Sequence, residues 1–342
     1  MRFIRNPLAW LGLAVSAGAL FLAFRGLHWG EVREAVAGAN YGLLILALAI
    51  MLVALYLRAL RWAVLFHPRK GMAVGNLLGA MNVGYAFSNI LPLRVGELVR
   101  AYLIGETEKV SVAHALSTIV VERVLDVLTV VVVLVVLLPF IDVPGWVAGP
   151  ALGVGIAFLL LAALLVTLSA ARERALALVA WGSRLLPEGL RHRVEEVAAA
   201  AIGGLAVLRQ PWALVQAVAW SAASWLASAL LMWVVLRAFD LELPFTAGLF
   251  VMVATSLVML VPASPGYVGT FELAAIKGLE NVFDVGHNAA ASYALVQHAI
   301  LYLTPIVIGA VFLWRERRIW RQVRLWARGE APVEEATGTG ST

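Results

Sequence analysis

The stretch SNILPLRVGELVR, residues 88–100, interrupts an otherwise apolar chain with a helix breaker and charged residues. Pro92 has no backbone N–H to donate and ends the helix that precedes it. Arg94, Glu97 and Arg100 follow at intervals of three, which places them on one face of the next helix. At membrane depth such a break is tolerated only where it is packed in protein or lines a water-filled cavity. The stretch therefore predicts the tip of a helical hairpin.

The composition of the whole chain indicates a membrane protein. Of its 342 residues, 62% are hydrophobic and only 14% are charged, and the mean hydropathy is +0.90. Soluble domains are about half apolar and about a quarter charged. Cysteine is absent, which excludes disulfides, thiolate metal ligands and a cysteine nucleophile. We expect an all-α polytopic membrane protein with no cofactor and no metal.

Charge distribution decides how many apolar runs cross the membrane. Six runs are long enough to do so: 8–24, 41–62, 110–138, 149–169, 212–238 and 288–314. If only these cross, all but five of the 26 Lys and Arg residues lie on the cytoplasmic side, Arg58 and Arg61 among them. If 72–91 or 245–262 crossed as well, clusters of arginine would move outside. The pattern predicts six spans, two re-entrant hairpins at 72–91 and 245–262, and cytoplasmic termini.

The two halves of the chain, 1–138 and 149–314, then have opposite orientation, which is typical of inverted-repeat transporters. A short sequence similarity agrees with this arrangement. LPLRVGE at 91–97 and VPASPGYVGTFE at 261–272 both run apolar, Pro, polar, Gly, Glu. We expect one transmembrane domain, 1–314, built as an inverted repeat.

Two basic segments lie beside the predicted spans. Residues 172–209 predict an Arg-rich helical cytoplasmic connector, broken at Pro187, and 315–342 predict a basic cytoplasmic tail that is disordered at its end. The basic residues of the tail, next to the last span, suit anionic lipid headgroups better than nucleic acid. An ordinary flank that stops translocation explains the tail equally well.

The arginines of the opening stretch are candidate ligands for a phosphate. Free N–H groups at the start of a helix favour an anion, and arginine can donate two parallel hydrogen bonds to it. Arg94 and Arg100 are therefore the predicted phosphate ligands, with Glu97 between them. The alternative is an interfacial helix whose charges face water or pair with one another.

A second cluster of charges, VERVLDV at 121–127, falls inside the third apolar run. Glu122, Arg123 and Asp126 are costly at this depth unless they are paired or hydrated. Glu122 and Asp126 are four residues apart and share a helix face. The alternative is a span that begins only near Val124, with these charges at the inner interface.

The third candidate region is the segment SLVMLVPASPGYVGTFELAAIKG, 256–278, in which prolines and glycines break the second hairpin. Within it, Glu272 lies in the first turn of the next helix, where a carboxylate serves as a partner for the helix dipole or for a cationic headgroup. His298 lies in the last span as a packing residue or as part of the site. The residues predicted to break the two hairpins are Pro92, Gly96, Pro262, Pro265, Gly266 and Gly269.

Five motifs together resemble the lysylphosphatidylglycerol synthase transmembrane family, the flippase-like membrane region of bacterial multiple peptide resistance factors. They are YLRALRW (56–62), SNILPLRVGELVRAYLIG (88–105), VVERVLD (120–126), VPASPGYVGTFELA (261–274) and YLTPIVIG (302–309). The resemblance implies two re-entrant hairpins, a cavity near mid-membrane and movement of aminoacylated phosphatidylglycerol between leaflets. The family pattern selects Arg94, Gly96, Glu97, Arg100, Glu122, Arg123, Asp126, Pro262, Pro265, Gly266, Gly269 and Glu272. Only a short tail follows Trp314, where resistance factors carry an aminoacyltransferase domain, so we do not expect synthesis of lysyl-lipid.

These observations predict a lipid translocase of the bacterial inner membrane. The arginines would hold a lipid phosphate, and the carboxylates Glu97, Glu122, Asp126 and Glu272 would hold a headgroup amine or exchange partners with the arginines. The expected ligands are anionic or aminoacylated phospholipids or polyprenyl-phosphate-linked lipids, and not nucleic acid; a homo-oligomer is left open. Two alternatives remain: a membrane-embedded enzyme acting on a lipid-linked phosphate or sugar, and a non-transporting partner of a separate lipid-modifying enzyme. No GxxxxGK[ST], HExxH or GxSxG motif is present.

Overall fold

A computed structural model describes residues 7–69, 71–90, 95–259 and 265–315. Within these ranges the chain forms thirteen α-helices and two short 3-10 turns, and no strand. The helices are α1 (Pro7–Phe24), α2 (Trp29–Gly38), α3 (Tyr41–Leu65), α4 (Val74–Ile90), α5 (Val95–Glu108), α6 (Val112–Leu137), α7 (Gly145–Ala170), α8 (Arg172–Ser183), α9 (Glu188–Gly203), α10 (Pro211–Ala238), α11 (Phe245–Val258), α12 (Thr270–Phe283) and α13 (His287–Arg315). The 3-10 turns are Ala206–Arg209 and Pro265–Tyr267.

The six apolar runs coincide with α1, α3, α6, α7, α10 and α13. Of these, α3, α7, α10 and α13 are long and apolar enough to cross a bilayer. Helix α6 has 26 residues and carries the charges of the VERVLDV segment. The starts of α3 and α6 follow from their capping residues, since Asn40 accepts from Leu43 N (3.1 Å) and Ser111 accepts from His114 N (3.2 Å). The expected all-α class of a multi-pass membrane protein is confirmed.

Helices α3 and α10 form the centre of the bundle and run antiparallel along most of their length. Asn40 N, just before α3, donates to the carbonyl of Ala238 at the end of α10 (2.8 Å). Arg61, near the end of α3, donates to Ser221 in the first half of α10 (2.9 Å). Small buried residues permit this close approach; they include Ala47, Ala54 and Ala59 on α3 and Ala217, Ser221 and Ser224 on α10.

Two pairs of shorter helices form antiparallel hairpins. In the first pair, Asn76 at the start of α4 donates to Glu108 at the end of α5 (2.7 Å). In the second pair, Phe250 in α11 meets Phe283 at the end of α12, with ring centroids 6.0 Å apart. These helices have 14 to 17 residues, about 21–26 Å, which is shorter than the hydrocarbon core of about 30 Å.

The ends of the two hairpins meet at Tyr302 of α13. Asn89, at the end of α4, donates to the Tyr302 carbonyl, and the Tyr302 hydroxyl donates to the Asn89 carbonyl, both at 3.3 Å. Gly266 of the second hairpin has φ +68° and lies against the Tyr302 ring and the Asn89 carbonyl, so a side chain there has neither space nor a relaxed backbone. Pro92 and Arg94 of the first turn and Pro262 of the second lie outside the described residues.

Helices α8 and α9 form the connector between α7 and α10. They meet at Pro187, and Ser183 of α8 donates to Glu195 of α9 (2.7 Å). The 3-10 turn that follows lies beside the end of α7, where the Ser169 hydroxyl donates to the Leu205 carbonyl (2.8 Å). The beginning and the end of the connector therefore lie next to each other, beside the last turn of α7. Of the predicted tail, residues 316–342 lie outside the described part of the chain.

Candidate functional site

A cavity of about 260 Å³ opens beside the α3–α10 pair, between the two hairpins and α13. Its polar lining comes from α3, α4, α5, α6, α10 and α11, and consists of Arg58, Tyr85, Ser88, Asn89, Glu97, Arg100, Arg123, Asp126, Trp225, Ser228, Thr255 and Ser256. Its apolar lining includes four methionines, Met51, Met232, Met252 and Met259. Methionine side chains are flexible and adapt to irregular apolar shapes. The cavity therefore offers both polar and apolar contacts to the same occupant.

Arg100 and Glu122 form the deepest ion pair beside this cavity. Nη1 of Arg100 donates to Oε1 of Glu122 (2.9 Å) and Nη2 donates to Oε2 (2.6 Å), and both residues are buried. The guanidinium also lies over the Trp62 ring at 3.5 Å from its centroid, and Trp62 Nε1 donates to Thr118 (3.0 Å). Such a two-bond pair is geometrically specific, so it fixes α5 against α6.

Arg61 joins the same cluster from α3. Its Nη1 donates to Asp126 Oδ1 (2.5 Å), and its Nη2 lies 3.5 Å from Glu122 Oε1. Trp225 Nε1 of α10 also donates to Asp126 Oδ1 (3.0 Å). A largely buried carboxylate with these two donors is well satisfied, so Asp126 ties α3, α6 and α10 together.

Arg123 connects the buried cluster with the cavity. It contacts Glu122 (2.8 Å), Asp126 (3.4 Å) and Glu97 (3.5 Å), and its side chain is 31% exposed. The Glu97 side chain is exposed to a similar extent, 34%. These two residues are therefore accessible to an occupant of the cavity, whereas Arg61 and Glu122 are not.

Arg58 is the one arginine of the cavity wall that has no ion pair within the described part of the chain. It donates to Ser228 (3.1 Å) and lies over the Trp225 ring, 5.4 Å from the centroid. Arg100 and Arg123 of the wall, and Arg61 behind it, are paired with the three carboxylates Glu97, Glu122 and Asp126. Among the described residues, Arg58 therefore leaves the cavity with one positive charge in excess.

Two glycines allow the first hairpin to deliver these side chains. A Cβ built on Gly96 would overlap the carbonyl oxygen of Gly84, and a Cβ on Gly84 would lie 2.8 Å from the Gly96 carbonyl oxygen. Helices α4 and α5 are therefore in backbone contact where α5 begins. This contact positions Glu97 and Arg100 in the first two turns of α5.

Glu272 and His298 form a separate buried pair. Their Oε1 and Nδ1 atoms are 2.6 Å apart, and His298 Nε2 lies 2.9 Å from the Gly266 carbonyl. A carbonyl only accepts, so Nε2 carries a proton, and a further proton lies between Nδ1 and the carboxylate. Gly269 N donates to Glu272 Oε2 (2.7 Å). The pair therefore attaches the turn of the second hairpin to α13.

The structure brings together most of the residues singled out in the sequence. Glu97, Arg100, Glu122, Arg123 and Asp126 converge at the cavity, whereas Glu272 and His298 pair elsewhere. Arg94 lies outside the described residues. Glu122 lies ten residues into an unbroken α6, about 15 Å from its first residue, and is buried in protein.

Arg58 and Arg61 were missed as site residues by the sequence reasoning, which counted both with the basic residues of the cytoplasmic side. In the structure both lie within α3, which continues to Leu65, and Arg61 is buried in ion pairs. The signal was present in YLRALRW, where two arginines stand three apart inside an apolar run. Such a pattern in a helix that spans the membrane indicates charges that face the interior of the bundle.

Comparison with known proteins identifies the family. The family model described as the lysylphosphatidylglycerol synthase TM region matches residues 9–309. The chain belongs to this family. It is similar to a UPF0104 membrane protein of Methanothermobacter thermautotrophicus, with 21% identity over 301 residues, 83% of this chain and 85% of that protein. A second match, also named UPF0104 membrane protein and from the same organism, is 35% identical over 89 residues, 26% of each chain.

Proposed function

We propose that this protein moves a phospholipid or a lipid-linked headgroup between the leaflets of the bacterial inner membrane. The observation that carries the proposal is the cavity beside the α3–α10 pair, which is lined by both charged and methionine-rich apolar side chains. A lipid has the same division, with a charged headgroup and apolar chains. Membership of the lysylphosphatidylglycerol synthase TM region family supports the proposal.

The headgroup phosphate is assigned to Arg58 and Arg123. Arg58 has no carboxylate partner among the described residues, and Arg123 is partly exposed to the cavity. Arg100, the phosphate ligand expected from sequence together with Arg94, has both Nη atoms engaged by Glu122. In this proposal the Arg100–Glu122 pair fixes α5 against α6, while Arg58 and Arg123 bind the phosphate.

An amine on the headgroup would be met by Glu97 and Asp126. Both carboxylates line the cavity and both contact Arg123 at about van der Waals distance, 3.5 and 3.4 Å. Arg123 can therefore exchange a carboxylate for the phosphate while the carboxylate turns to the amine. Such an exchange keeps Arg123 and the two carboxylates paired during entry and release of the lipid, which lowers the cost of charge in a low-dielectric site.

Access from both sides would come from two halves of opposite orientation, with the hairpins re-entrant and the termini cytoplasmic. The packing of the two halves supports this inverted repeat. Helix α3 packs on α4 as α10 packs on α11, α5 packs on α6 as α12 packs on α13, and α4 packs on α13 as α11 packs on α6. In this arrangement residues 1–314 are one domain, and the hairpins meet at Tyr302 beside the cavity.

Lipid exchange in reconstituted vesicles tests the function. Full-length protein in vesicles is expected to speed the transfer of fluorescent lipid analogues between leaflets, tested across anionic, aminoacylated and polyprenyl-phosphate-linked lipids. Arg58→Gln is expected to lose this activity, and Arg33→Gln, an exposed arginine of α2, serves as the matched control. Exchange no faster than in protein-free vesicles for every lipid would refute the proposal. New lipid species in the same extracts would instead indicate an enzyme.

A further inference from the structure

Helix α8 carries an apolar stripe that no described part of the chain covers. Leu178, Trp181 and Leu185 follow one another at intervals of three and four, so they share one face of α8 and its continuation. They are 69%, 70% and 92% exposed, respectively. The opposite side of α8, with Ala175 and Ser183, is buried against the rest of the connector. The exposed stripe therefore takes no part in the packing of α8 within the connector.

The position of α8 places this stripe beside the membrane. Only one residue separates the end of α7, a helix long enough to span, from Arg172 at the start of α8. The hydrogen bond from Ser169 to the Leu205 carbonyl holds the other end of the connector at the same level. Helix α10 begins a few residues later, with the exposed Trp212 in its first turn. Tryptophan at the end of a span is typical of the boundary between lipid and water.

The charges of α8 suit an anionic surface. Three arginines, Arg172, Arg174 and Arg184, stand in or directly beside this helix, against one carboxylate, Glu173. Arg174 lies in line with the stripe, four residues before Leu178. Exposed tryptophan and leucine with arginine around them are the residues that hold a helix in the plane of the interface. At 12 residues, about 18 Å, α8 is too short to cross the membrane.

We infer that α8 lies in the headgroup region of the adjoining leaflet and binds anionic lipid through Leu178, Trp181, Leu185 and the arginines around them. This surface is separate from the cavity, so the inference is independent of lipid transport. It assigns the exposed face of the connector to lipid and not to a protein partner.

Site-directed spin labelling tests the inference in the full chain, which has no cysteine to remove. Nitroxides are placed at Leu178→Cys and Leu185→Cys, with Glu173→Cys as the control on another side of the same helix. Leu160→Cys, an exposed position in the span α7, gives the reference for immersion in lipid. In phosphatidylglycerol-containing vesicles, labels at 178 and 185 are expected to collide with oxygen more often than the label at 173 and less often than the label at 160. Their collision with an aqueous nickel reagent is expected to be several-fold lower than at 173.

Two results would overturn the inference. Labels at 178 and 185 that are as accessible to the nickel reagent as the label at 173 would leave the face in water, available to a protein partner. Equal shielding in phosphatidylcholine vesicles, or in an Arg174→Gln/Arg184→Gln variant, would remove the preference for anionic lipid. A third label at Trp181→Cys repeats the measurement if either leucine variant fails to fold.

Discussion

Arg100 and Glu122 are joined by two parallel hydrogen bonds of 2.9 and 2.6 Å, and only 1% and 0% of these residues is exposed. Removal of one partner from such a pair leaves a buried charge without compensation. We expect Glu122→Gln and Arg100→Gln each to lower the free energy of unfolding by about 3–5 kcal/mol. Denaturant unfolding in detergent measures this change.

The double variant Arg100→Met/Glu122→Leu separates the effect of an unpaired buried charge from the effect of lost side-chain volume. Apolar replacements of similar volume leave no unpaired charge, so we expect the double variant to be more stable than either single variant. A loss of stability in the double variant equal to the sum of the losses in the two single variants would mean that the pair is not coupled.

Arg58 is expected to affect transport and not stability. The side chain has no ion pair to lose in the described part of the chain, and it donates one hydrogen bond, to Ser228. A hydrogen bond to a charged group contributes about 1.5–3 kcal/mol, so Arg58→Gln should slow lipid exchange by about tenfold or more. Arg58→Lys keeps the charge but loses two-bond recognition, and an intermediate rate is expected. An unchanged exchange rate in Arg58→Gln would place the lipid phosphate elsewhere.

Gly96 tests the contact between the helices of the first hairpin. A Cβ at this position would overlap the Gly84 carbonyl, and we expect Gly96→Ala to separate α4 from α5 and to cost about 1–3 kcal/mol. Gly75→Ala in the same hairpin is the matched control, because a Cβ there would meet nothing within 4 Å. Thermal unfolding should separate the two variants, and equal melting temperatures would contradict the close contact.

The sequence predicts this hairpin and the shared face of Glu122 and Asp126, because both depend on local spacing and on helix breakers. It does not predict the partners. Arg61 lies 65 positions from Asp126, and their pairing depends on how α3 is rotated against α6. Spacing within one helix leaves that rotation open. In the sequence, Arg61 therefore resembles a charge that flanks a span. The packing of α3 on α10 is what directs its side chain into the interior of the bundle.

Acidification is expected to loosen the connector. Arg191 and Ser183 both donate to Glu195, and these hydrogen bonds lower the pKa of the Glu195 carboxyl. A lowered pKa in the folded state means stabilisation that is complete above the unfolded value, about 4.3, and lost as pH falls through the folded value. Spin labels at Ala177→Cys and Glu196→Cys should report a wider distance between α8 and α9 in acid.

Glu195→Gln provides the control for this pH effect. The amide cannot titrate, so the labelled Glu195→Gln variant should show the same distribution of distances at neutral and acid pH. A distance that widens in acid in both proteins would assign the effect to another group.

The pair formed by Glu272 and His298 is expected to hold the turn of the second hairpin. Glu272→Gln leaves no carboxylate for His298 Nδ1, and His298→Gln leaves a buried carboxylate without its cationic or proton-sharing partner. Each change should free Gly266 and Gly269 from α13, so their amides should exchange with solvent deuterium faster. Glu280→Gln, in the same helix but bonded to Lys277 and His287, should not change this exchange. Both changes remove the same Glu272–His298 contact, while each residue also bonds the turn by itself, through Gly269 N or the Gly266 carbonyl. The double variant should therefore exchange faster than either single variant, but by less than the two effects combined. Additive acceleration would show that Glu272 and His298 act on the turn independently.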